Sequence, residues 1–291
     1  MKKCSRLIRI VFPLLVLIQN GCIRHSRATT DDSLEKNLQF LIEQGKEHWE
    51  KRVDPEEANK ARFFLSKAFL IQPDNLEIAA LYSRACQFAG YYIETDPVKQ
   101  DSLFQEGRNS AWSVISRSEP FLQGFQSASG DSTARLLAAL ENLPIDYIPV
   151  LYWWIANSAR FLASKPVIER LNHRDEIETG LHRIQALKPD YFYGGPNRIF
   201  GGIFARLPGV ELALSESYFQ QSIKESPNYL GTYVLRARFL HIKAGDREQF
   251  NKDLNYVIQA DPTALPEVMP ENLLEQGIAK ALLDQESYLF E

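Results

Sequence analysis

The sequence predicts an all-α fold, with helical hairpins stacked in a compact right-handed array. Three observations predict it. From Asp32 onward, apolar residues recur at helical steps of three and four, and no run of strict alternation persists long enough to argue for a sheet. The breaks between periodic stretches are short and carry turn residues, as in "QPDN", "KPDY" and "ADPT". One spacing also recurs four times: a core position, then plus four, plus three, and plus five to a proline.

The four copies are Ala61, Leu65, Ala68, Pro73; Ile177, Leu181, Ile184, Pro189; Ser215, Phe219, Ser222, Pro227; and Phe250, Leu254, Val257, Pro262. Steps of four and three put the first three residues on one helix face. The proline falls just past the helix end, where its missing N–H does least harm. Small–large–small residues at this spacing are those of the second helix of a tetratricopeptide repeat. The last three copies start 38 and 35 residues apart, near the ~34-residue period of such repeats. "KAGDREQF" supplies a Gly-Asp turn between two helices. A generic helical array without true repeats is the alternative.

At the start of the chain, "MKKCSRLIRIVFPLLVLIQNGC" has the layout of a secretory signal. Lys2, Lys3, Arg6 and Arg9 precede an apolar run from Ile10 to Ile18, which is too short to span a bilayer comfortably. Gly21-Cys22 then resembles a bacterial lipobox, in which the cysteine becomes the lipidated N-terminus. The expected organisation is a signal peptide over 1–21, a polar tether over 22–33 after a lipidated Cys22, and a helical domain over 34–291. An acylated Cys22 would anchor the chain to a membrane by inserting its lipid. Cleavage leaves 29 basic against 37 acidic residues, a net charge of −8. An acidic chain is a poor nucleic-acid binder, because that contact rests on clustered Lys and Arg. Cys86, among apolar neighbours in "LYSRACQFAG", is expected to be a small core residue.

Between the first and second copies of the spacing lie further helices, "VKQDSLFQEGRNSAWSVIS" and "YIPVLYWWIANSARFLAS". "FLQGFQSASGDSTAR" between them is expected to be a loop followed by a new helix start. In "YIPVLYWWIANSARFLAS", helical spacing places Leu151, Ile155, Ala159 and Leu162 on a core face. Trp153, Asn157 and Arg160 fall on another, where Trp153 and Asn157 are candidates to line a cavity or to pack a groove.

Residues 191–209, "YFYGGPNRIFGGIFARLPG", hold five glycines and two arginines. Gly194-Gly195 is expected to turn the chain, and Pro196 suits the first position of a helix. That places Gly201 and Gly202 inside the helix, where each costs about 1 kcal/mol relative to Ala. Such a cost points to a close approach by a neighbouring backbone or by a ligand. Arg198, Gly202 and Arg206 share one face, and two guanidiniums flanking a missing side chain could receive a carboxylate. The phosphate-loop reading fails: no strand precedes the glycines and no Gly-Lys-Ser/Thr ends them. Tyr193, Gly194, Gly195 and Asn197 complete the candidate ligand set, and packing alone is the competing account.

These segments carry a resemblance. "YWWIANSARF", "LKPDYFYGGPNRIFGGIFARLPG" and the C-terminal "NYLGTYVLRARFLHIKAGDREQFNKDLNYVIQADP" with "PENLLEQGIAKALLDQESYLF" resemble the T components of TRAP-type transport systems. The resemblance extends from about Leu34 to the C-terminus. It implies an all-helical periplasmic lipoprotein that partners the TRAP solute-binding protein, forms a homo-oligomer (a trimer), and offers a cavity or pore for a small organic anion. It implies no cofactor. The alternative function is a repeat lipoprotein that scaffolds envelope assembly without binding solute. Nothing supports catalysis: the five histidines form no metal-ligand spacing, and no Gly-x-Ser-x-Gly elbow is present.

Overall fold

A computed structural model describes residues 32–291, so the signal peptide, Cys22 and most of the tether lie outside the described residues. The chain is already helical at Asp32, two residues before the expected domain start. Among the described residues there is no strand, and the fold is all-α.

The helices in order are α1 (32–50), α2 (Pro55–Ile71), α3 (Leu76–Phe88), α4 (Pro97–Arg117), α5 (Glu119–Ser127), α6 (Ser132–Glu141), α7 (Ile148–Ala163) and α8 (Val167–Asn172). There follow α9 (Arg174–Leu187), α10 (Tyr191–Phe204), α11 (Leu212–Glu225), α12 (Gly231–Arg236), α13 (Ile242–Ala244), α14 (Arg247–Gln259), α15 (Met269–Asp284) and α16 (Glu286–Leu289). Many starts follow side-chain capping rules. Asp54, Asn75, Asp96, Asp131 and Asp246 each accept a backbone N–H of the first turn, and Pro55 and Pro97 open their helices.

The twelve helical residues of the repeated spacing, the prolines apart, are all buried, on α2, α9, α11 and α14. The first three of these helices also end alike. Gln72, Lys188 and Ser226 have φ/ψ of −130/71, −153/75 and −147/76, and each donates its N–H to the carbonyl four residues back. The proline after each excludes the helical conformation at these caps. α14 stops one residue earlier, at Ala260.

α7 lies at the centre of the largest core, against α3, α4 and α9. α10 packs on α11, and α12 and α14 pack on α15. Cys86 is fully buried in the α1–α3 core, and burial pushes its thiol well above the ordinary range. The chain also closes on itself. Glu271 of α15 accepts Arg52 Nη2 at 2.7 Å and Arg84 Nη2 at 3.0 Å, tying the C-terminal region to the first hundred residues.

One expectation fails. "FLQGFQS" is helical, within α5, not a loop. Ser118 caps it, Pro120 sits in its first turn and Phe121 is buried. Gly124 belongs to the packing: a Cβ there would lie 3.0 Å from the Cα of Ala139 on α6.

Candidate functional site

Three departures from regular helix surround one cavity. α3 ends in a π-helical segment, Ala89–Ile93, which carries Tyr91 and Tyr92. A second, Ala237–His241, interrupts α12–α13 and carries Phe239. At the start of α10, Phe192, Tyr193 and Gly194 take positive φ of 47°, 59° and 69°, a left-handed turn that is strained at the two aromatic residues. π segments and strained turns persist where the surroundings hold them, commonly at functional sites. Tyr91, Tyr92, Phe239 and Phe192 all line the cavity, whose volume is about 80 Å³. Tyr152, Trp153 and Tyr229 extend its aromatic wall.

Arg198 holds the left-handed turn in place. It donates to the carbonyls of Phe192 (3.0 Å) and Tyr193 (2.9 Å) and to the Tyr152 hydroxyl (3.0 Å). Its guanidinium lies 4.0 Å over the Tyr229 ring. Arg206, two turns on, donates from Nε to the Gly202 carbonyl and lies over Phe239. Arg160 of α7 sits 3.5 Å over Tyr91. All three arginines line the cavity, and among the described residues none forms a salt bridge. Burial, and then the charges of Arg160, Arg170 and Arg238, push Arg206 down to about 10. A cation so crowded by cations favours an anion nearby.

Arg84 also lines the cavity, but it is paired, through Glu271 and Glu267. Glu271 and Glu275 are the two cavity carboxylates, 4% and 2% exposed, so unmatched positive charge remains. Glu275 Oε1 accepts the Tyr92 hydroxyl at 2.7 Å, and Oε2 has no partner among the described residues. Burial pushes Glu275 up to about 7, against the pull of the Tyr92 bond and of Arg160, Arg198 and Arg238.

Two openings adjoin the cavity. A wide groove of about 1070 Å³, walled by Trp49, Leu76, Ile145, Pro149 and Tyr191, shares Arg84 and Trp153 with it. A small apolar pocket beside Leu162, Ile177 and Ile203 shares Ala159 and Arg206 with it.

Of the residues singled out in the sequence, Trp153, Arg198, Gly202 and Arg206 come together on the cavity wall. The others lie elsewhere. Asn157 donates to Ser83 and to the Trp153 carbonyl, buried against Gly107 of α4. Asn197 donates to Glu225 and accepts from Gln185. A Cβ on Gly194 would meet Ser222 and Glu225 at 3.0 Å, and one on Gly195 would meet the Tyr152 ring at 2.6 Å, so both serve packing. Tyr193 donates its hydroxyl to Glu267 at 3.0 Å and stacks on Tyr229. Ala159, expected in the core, is half-buried and faces the cavity. Sequence reasoning left Arg84 and Glu275 unmarked. The spacing of four between Glu271 and Glu275 was a signal for Glu275, since it puts both carboxylates on one face of α15.

The arrangement defines an all-helical protein with an aromatic, cation-rich cavity. No group of three or more His, Cys, Asp or Glu among the described residues is placed to hold a metal ion. A family model described as TRAP transporter T-component matches residues 92–290, and the chain belongs to that family. A search of curated proteins finds no match. Membership makes the chain an extracytoplasmic accessory component of a TRAP transport system, a family not known for enzymes. No described helix is long and apolar enough to cross a membrane.

Proposed function

We propose that this chain docks the solute-binding protein of its TRAP system and holds a small, partly apolar organic anion in the arginine-lined cavity. The single observation that carries the reading is the set of three cavity arginines, Arg160, Arg198 and Arg206, without a carboxylate partner among the described residues. Arg198 is buried and Arg160 and Arg206 are half-buried; charges withdrawn from water are ordinarily paired, and a bound anion supplies the missing partner. The wide groove is the docking face in this reading, because Arg84 and Trp153 join it to the cavity. A lipid on Cys22 tethers the chain at a membrane, the four proline-terminated helices belong to a tetratricopeptide-like array, and copies assemble as a trimer.

The test is capture of partners from native cells. Full-length tagged protein, gently crosslinked, is expected to recover a TRAP solute-binding protein. Charge reversal on the groove rim, E50K with D146K, is expected to abolish the recovery. Recovery of envelope-assembly proteins in place of the solute-binding protein would assign the chain to a scaffold role.

A further inference from the structure

Of the two carboxylates on the cavity wall, Glu271 has both oxygens engaged, by Arg52 and Arg84. Glu275 has one. Its Oε2 is buried and has no partner among the described residues, and Glu275 stands in a cavity wall whose other groups are mainly donors and aromatic faces. Groups from every side face this carboxylate. Tyr91 and Tyr92 come from the π segment after α3, Arg160 from α7, Arg198 from α10, Tyr229 from the turn before α12, and Arg238 from the second π segment. Glu271 lies one turn away on its own helix, and the Gly231 backbone closes the space over Oε1, where a Cβ would stand 3.1 Å away.

An anion in this cavity adds negative charge beside Oε2. An ionised Glu275 would repel it with an unsatisfied oxygen, whereas a neutral Glu275 offers an O–H donor. We propose that Glu275 is a ligand contact that binds organic anions as an acid–carboxylate pair: its Oε2–H donates to an oxygen of the anion, and anion and proton are taken up together. The inference rests on the reading that the cavity holds an organic anion. The proton comes from solvent and stays on Glu275, and no bond of the ligand is broken. Burial already brings the neutral form within reach near neutrality, with the carboxyl pushed up to about 7. The charge of a bound anion pushes it higher, so the bound state holds more protons and affinity falls as pH rises above about 7. The same geometry selects the kind of solute. Arg160 and Arg198 on the cavity wall repel an ammonium group beside Glu275, so a carboxylate with an apolar tail is preferred over a zwitterion of the same size.

The test is titration calorimetry of the purified protein with butyrate, hexanoate and 4-aminobutyrate, in buffers of different ionisation enthalpy. Wild type is expected to take up close to one proton per hexanoate at about pH 8 and to lose up to about ten-fold in affinity per pH unit above that. E275Q keeps a donor and no charge, so it is expected to bind hexanoate with no proton uptake and a flat pH profile. G202L, which fills the cavity, is expected to lose the binding and so locate it. Hexanoate binding by wild type with a flat profile and no proton uptake would overturn the role of Glu275 and leave the anion reading standing. Tighter binding of 4-aminobutyrate than of butyrate would overturn it too. Failure of both carboxylates to bind wild type and E275Q would overturn the anion reading and this inference together.

Discussion

Gly201 and Gly202 are neighbours in sequence and have different reasons to be glycine. A Cβ on Gly201 would lie 2.8 Å from the Phe219 ring, while one on Gly202 meets only Phe239, at 4.0 Å across the cavity. G201A is therefore expected to lower stability by about 1–3 kcal/mol and to spare the cavity. G202L is expected to fill the cavity with little loss of stability, as thermal melts of the two variants would show. Glu275 makes a prediction about pH. Its carboxyl is raised in the folded state, so the folded chain binds more protons than the unfolded one between about 4.5 and 7. Stability from this group is fully present below about 4.5 and is lost as pH rises through about 7, a change on the order of 3 kcal/mol. E275Q is expected to flatten that dependence, read by urea denaturation at about pH 5 and pH 8. The common face of Arg198, Gly202 and Arg206 was legible because steps of four on one helix leave little freedom. Asn157 was misplaced because a step of four from Trp153 drifts about 40° round the helix and a step of three about 60° the other way. Neighbouring helices decided between them: Ala156 faces the cavity, and Asn157 faces Ser83.

At the scale of elements, the left-handed turn before α10 and the two π segments shape the cavity. Arg198 fixes the turn through two carbonyls, so R198M is expected to leave buried acceptors unpaired and to cost about 3 kcal/mol or more in a urea melt. The sequence announced a turn at Gly194-Gly195, through the glycines and Pro196. It did not announce positive φ at Phe192 and Tyr193, because such strain is held by a distant side chain and not by local preference. The π segments were equally silent, since "AGYYI" and "ARFLH" read as ordinary helix. α5 was misread because Gly124 and Ser127 imitate a loop, whereas the glycine admits the α6 backbone.

Over the whole molecule, α15 returns to pack on the elements that begin the domain. The pairs of Glu271 with Arg52 and Arg84 span 219 and 187 residues. No periodicity in the chain encodes such a closure, and so the sequence yielded the helices without the enclosure they make. E271A would leave the buried Arg52 without its carboxylate and Arg84 with Glu267 alone, and is expected to cost about 3–5 kcal/mol, read by chemical denaturation. In the proposed function the cation-rich cavity carries a small organic anion for a transport system. Its most direct test is mass spectrometry of small molecules released on denaturing the protein purified from its native cells, wild type beside G202L. A discrete organic anion released by wild type and absent from G202L is the predicted result. Identical extracts from the two proteins, with no organic anion specific to wild type, would contradict it.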